Sequence, residues 1–116
     1  MIRTCLLVFL IVCITSNAYS QEINLNIYNP SPEQIVGESM YVQLAINATY
    51  EISIVEAVID GNVTQLNPVE GSNTFDGTIS LSSIPQGIHI LQINVTDVLD
   101  NTTSENRTFF LIQNLR

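Results

Sequence analysis

Three groups of residues have types and spacings that bear on chemistry: a lone histidine, a run of carboxylates and amides near the C-terminus, and five Asn-x-Ser/Thr triplets. His89 is the only histidine, and the two cysteines, Cys5 and Cys13, both fall within the first 20 residues. A histidine-assisted nucleophile needs a base with its own orienting partner, and a zinc site needs several His or Cys ligands. Once the cysteines are removed, one chain cannot assemble either, so His89 is read as a packing residue. Asp97, Asp100, Asn101 and Glu105 are placed in one loop, where their oxygens are candidates for holding calcium. Their spacing lacks the regularity of a calcium loop, and the competing reading is a solvated turn in which Asp and Asn side chains cap the backbone. Eleven acidic residues offer carboxylates for acid–base work, but no spacing sets two of them in a pocket. A non-catalytic protein without a cofactor is expected.

The triplets begin at Asn47, Asn62, Asn94, Asn101 and Asn106. The 96 residues after position 20 hold 11 asparagines and 16 serines and threonines, from which chance yields about two such triplets, not five. Asn94 lies between two inward residues of a predicted strand and so points to solvent, and Asn62, Asn101 and Asn106 sit in or beside predicted turns. All five are candidate glycan acceptors in a cell that has the transferring enzyme, and polar surface in one that lacks it.

The ends of the chain give these residues their compartment. Arg3 precedes ten apolar residues, Cys5 to Ile14, and a polar stretch follows with small residues at Ala18 and Ser20. That order is a signal peptide, residues 1–20, with cleavage expected before Gln21, and its apolar run is about half of what a membrane span needs. Both cysteines leave with it, so the exported domain, residues 21–116, has no disulfide, and its stability has to come from packing. All eleven acids lie after Gln21 against only Arg107 and Arg116, a formal charge of −9, and there is no lysine. Two arginines cannot neutralise a phosphate backbone, and an anionic bilayer repels such a domain, so neither nucleic acid nor membrane insertion is expected. The charge favours a dispersed monomer.

The elements that hold these residues are strands. Apolar side chains alternate with a period of two in Ile23/Leu25/Ile27, Val42/Leu44/Ile46, Val55/Ala57/Ile59, Phe75/Gly77/Ile79/Leu81, Leu91/Ile93/Val95 and Phe109/Leu111. Asn29-Pro30-Ser31-Pro32 closes the first set, because proline does not sit inside a central strand. Asp60-Gly61 ends the third as a turn pair, and a short strand near Val63 to Leu66 makes seven. About seven strands separated by turn signals over one 96-residue unit predict an antiparallel sandwich with a filled core. The last strand is expected from about Glu105 to Ile112, which leaves four residues and no room for a second domain or a membrane anchor.

One stretch is more specific. Pro85, Gly87, His89, Leu91, Ile93, Val95, Asp97 and Asn101 resemble the penultimate strand of the immunoglobulin-like modules of microbial surface and secreted proteins. The pattern there is Pro-x-Gly-x-(Tyr or His)-x-Leu-x-Val-x-Ala-x-Asp-x-x-Gly-Asn. The run Ile54-Val-Glu-Ala-Val-Ile-Asp-Gly61 is similar to the family's third strand and turn. The resemblance covers about a quarter of the domain and implies a disulfide-free immunoglobulin-like β-sandwich. Asp100 stands where the family has glycine, so a wider turn is expected there.

A sandwich of this kind hosts many unrelated functions. A secreted module contacting another extracellular protein or a glycan fits the Asn-, Ser- and Thr-rich surface, with Tyr28, Tyr41 and Tyr50 as possible contact residues. Two alternatives stand beside it. Some disulfide-free inhibitors of cysteine proteases share the sandwich, but they carry Gly-rich loops and an Arg-Pro-Trp segment, and this chain has no tryptophan. The domain also fits a spacer from a truncated multi-module surface protein.

Overall fold

The computed structural model describes residues 23–113, and the expected signal peptide, its expected cleavage before Gln21 and both cysteines lie outside them. Nine strands run in the order β1 (Ile23–Asn29), β2 (Gln34–Val36), β3 (Ser39–Ala48), β4 (Ile52–Ile59), β5 (Asn62–Gln65), β6 (Asn67–Pro68), β7 (Thr74–Ser80), β8 (Gly87–Asp97) and β9 (Thr102–Leu111). They form a four-stranded sheet, β1-β3-β7-β6, and a five-stranded sheet, β2-β9-β8-β4-β5. The described residues contain no helix.

Period-two alternation gives each sheet one apolar face, and the two faces close on each other. Met40, Val42, Leu44 and Ile46 of β3 meet Leu91, Ile93 and Val95 of β8, Val55, Ala57 and Ile59 of β4, and Phe109 and Leu111 of β9 in one buried cluster. Every inward set expected from the alternation lies in this cluster or packs against it, apart from the side-chain-free Gly77. A fully buried Leu, Ile or Phe contributes about 1.5–3 kcal/mol.

Two strands escape the alternation because they span only two or three residues. The Pro30–Pro32 segment does more than close β1: it carries the chain from one sheet to the other. There Glu33 takes φ 63°, and β2 pairs with β9 in parallel, the one departure from the antiparallel expectation. Glu33 N–H donates to Thr108 O (2.8 Å) and the Arg107 guanidinium to Pro30 O (2.7 Å), which fastens the crossing to β9. A second crossing lies between β5 and β6, where Leu66 is buried and its N–H donates to Val55 O (2.9 Å). Gly77 makes room for it, since a Cβ on Gly77 would stand 2.9 Å from Leu66 Cδ2. Asp60 and Gly61, at φ 50° and 84°, form the two-residue turn between β4 and β5 that their types predict.

Candidate functional site

Strand β8 carries both groups of residues that bear on function, one on each face. Its inward row starts at His89 and ends at Asp97. His89 stacks on Phe109 with ring centroids 5.9 Å apart, and its side chain is 11% exposed. Nε2 donates to Pro85 O (2.6 Å), and Nδ1 lies 3.1 Å from Asp60 Oδ2. Both ring nitrogens are thereby engaged, pinning the Pro85 loop and the Asp60-Gly61 turn to the strand. This is the corner-packing role.

Asp97 ends the row with 1% exposure. Its Oδ1 accepts from the Leu99 and Asn101 N–H groups (both 2.9 Å) and its Oδ2 from Asn101 Nδ2 (3.0 Å). Burial pushes this carboxyl up, but the bonds from the Asn101 side chain, the Asn101 N–H and the Leu99 N–H outweigh it and hold the pKa below its ordinary 3.8. The carboxylate thus serves as a turn cap, with its lone pairs directed at N–H groups. Of the other calcium candidates, Asp100 and Asn101 share this turn, but Glu105 does not: it lies within β9, opposite Ile93. Its polar neighbours Thr102 to Ser104 hide that strand's start, because they show no apolar alternation. Nor is the turn widened at Asp100, which adopts φ 67° and so takes the left-handed conformation that glycine favours.

The glycan candidates separate by environment. Asn47, Asn62 and Asn106 are exposed, whereas Asn94 and Asn101 are half-buried. Asn47 accepts from Asn73 (3.0 Å) and Asn94 from Ser104 (2.6 Å) through their Oδ1 atoms, not the nitrogen a glycan joins. Asn101 is different, because its Nδ2 is bonded to Asp97. The three tyrosines do not gather. Tyr28 and Tyr41 lie toward one end of the four-stranded sheet, and Tyr50 follows the opposite end of β3. The Tyr41 hydroxyl donates to Asp76 Oδ2 (2.7 Å); that bond, with partial burial and the carboxylate charge, pushes the phenol pKa up.

No motif marks the outward row of β8. Ile35 of β2 pairs with Phe110 of β9, and Phe110 with Ile88 of β8, forming an apolar row across three strands on the outer face. Ile88, Ile35 and Ile90 are 70%, 57% and 52% exposed. Ile88, Phe110, Leu111 and Ile112 line a groove there. Farther along come the rows Asn106–Gln92–Val58–Val63 and Ser104–Asn94–Glu56–Gln65. The sequence does carry a signal for this face. Ile88 and Ile90 flank His89, and Phe109 to Ile112 is an unbroken apolar run, so apolar residues occupy positions where alternation calls for polar ones.

The fold has known relatives in shape. The chain superimposes on fibronectin(III)-like modules of Clostridium thermocellum CbhA over 80% of its length and 99% of theirs, with TM-score 0.64 and 8% identity. The fold is an immunoglobulin-like β-sandwich. CopC from Methylosinus trichosporium OB3b matches 80% of this chain and 98% of its own (TM-score 0.53, 12% identity). The endo-beta-1,4-mannanase from Thermotoga petrophila matches with TM-score 0.72 and 10% identity over 79% of this chain, which spans only 20% of that enzyme. No family model and no curated protein matches the sandwich by sequence. These likenesses establish the fold and leave the function to the surface.

Proposed function

We propose that the chain is an exported, non-catalytic immunoglobulin-like module that works by contact with another extracellular protein or a glycan. The observation that carries this reading is the outer face of the five-stranded sheet, where Ile35, Ile88 and Ile90 stand exposed together within regular strands, whereas Val98 and Leu99 are exposed in the β8–β9 turn. Such a patch costs solubility and is retained where something covers it. The engagement of both His89 nitrogens and of the Asp97 carboxylate within the fold supports the absence of catalysis. Export is supported by the basic, apolar and small-residue order of residues 1–20 and by the five acceptor triplets. The match to nearly the whole of a CbhA module favours a related reading, in which the domain is one module of a longer microbial surface protein.

The test is expression of the full chain in its own organism, with the intact mass of the exported product and its retention on surface or matrix extracts as readouts. Loss of residues 1–20 is expected, together with retention that falls in Ile88→Glu. A product kept in the cell at full mass, or extracts that retain neither protein, would overturn the proposal.

A further inference from the structure

Most of the acidity of this chain sits in its turns and not on its strands. Ten of its eleven carboxylates belong to described residues, and within the strands of the five-stranded sheet only Glu56 faces outward. Glu33 and Asp60 stand in turns at the margin of that face. Of the rest, Asp76 lies on the four-stranded sheet, Asp97 and Glu105 on the inward rows of β8 and β9, and Glu38, Glu51, Glu70 and Asp100 in other turns. The apolar end of the outer face, with Ile35, Ile88, Ile90 and Ile112, leaves roughly 400 Å² uncovered, a size that often has a use on a monomer's surface.

The geometry points to a second copy of this chain as the occupant of this face. A basic partner would be drawn to the carboxylates, and this face offers it almost none. What fits is a surface that meets this end with apolar side chains and little charge, the composition that distinguishes interface cores from ordinary surface. The same face of a second copy has that composition, and two outer faces stacked about a twofold axis bring the Ile88 and Ile90 rows together. The apolar part is about half of the roughly 800 Å² per partner of a standard interface, and Thr108, Gln92 and Asn106 beside it supply neutral surface for the rest. This pairing rests on the reading of the face as a contact surface and puts a second copy there in place of a different protein or a glycan. It also revises the expectation of a monomer, which follows from the total charge and not from where the charge sits.

Sedimentation equilibrium on the unglycosylated chain from Gln21 to Arg116, which contains all nine strands, tests the pairing at up to about 0.2 mM. The mass should move from one copy to two with a Kd of about 10–100 μM. Association should tighten as salt rises from about 0.05 to 0.5 M, because screening relieves the repulsion between two acidic bodies. Ile88→Glu and Ile90→Ser should each weaken it about tenfold or more. Leu99→Glu, at an exposed position (57%) in the β8–β9 turn at the far end, should leave it unchanged. Thermal melting of each variant checks that the fold is intact. A single-copy mass throughout, an assembly larger than two, or a dimer indifferent to both isoleucine substitutions would overturn the pairing. If the wild type stays single while retention on extracts still falls in Ile88→Glu, the second copy is wrong and the contact reading stands; if both effects are missing, both fail.

Discussion

Asp97 shows how one buried charge becomes a structural part. Three N–H groups, one from Leu99 and two from Asn101, surround a carboxylate that the alternation carries into the sandwich interior. Its pKa is held below 3.8, so its stabilisation is fully present above the ordinary carboxylate range and is lost as pH falls through the lowered value. Asp97→Asn presents an amide nitrogen where an acceptor is needed, and should melt about 5–10 °C lower at neutral pH. The gap between the two melting temperatures should narrow as pH drops below about 4. A gap that stays constant down to pH 2 would show that the charge itself contributes nothing.

At the scale of elements, the crossings between sheets decide the architecture more than the strands do. Leu66 reaches the core at the β5–β6 crossing only because Gly77, on the facing β7, has no side chain. Gly77→Ala should cost about 1–3 kcal/mol by overpacking, measured by denaturant unfolding. Leu66→Ala alone should cost about 2–5 kcal/mol through the cavity it opens. In the double variant the alanine methyl at 77 enters that cavity, so the two costs should fall short of additive by about 1 kcal/mol or more. Full additivity would refute the contact. The edge segment of β9 beyond its pairing with β2 points Glu105 and Arg107 inward at the rim, charges of the kind that keep an open strand from pairing with another chain.

For the whole molecule, the distribution of acceptor asparagines and apolar residues sets what the surface can present. The Nδ2 of Asn101 is committed to Asp97, while Asn47, Asn62 and Asn106 are exposed. Produced in a eukaryotic secretory cell, the chain should carry glycans at those three, and peptide mapping should find Asn101 largely unmodified. Heavy occupancy of Asn101 in a protein that still melts cooperatively would contradict the cap. Asn106 also lies on the face that carries the isoleucines, in the row next to Ile90, so a glycan there would hinder whatever binds that face, which is why the pairing is tested on unglycosylated protein.

The periodicity pointed to a two-sheet sandwich and to most of the residues that fill it, since a period of two leaves one face per strand and a core without disulfides must be apolar; Val36, Met40, Leu66 and Ile84 joined that core without belonging to an alternating set. It also identified the Asp60-Gly61 turn and the packing role of His89, because their local chemistry admits few alternatives. Tertiary structure decided the rest. The last strand starts at Thr102 and not at Glu105 because Thr102 to Ser104 pair with Thr96 to Asn94, a pairing that their polar side chains do not announce. β2 exists because the chain crosses between sheets at Pro30–Pro32, and the purpose of Gly77 appears only when Leu66 is set against it. The apolar face is the sharpest case. Ile35, Ile88 and Phe110 are scattered along 76 residues of sequence, and pairing across three strands is what makes them one surface.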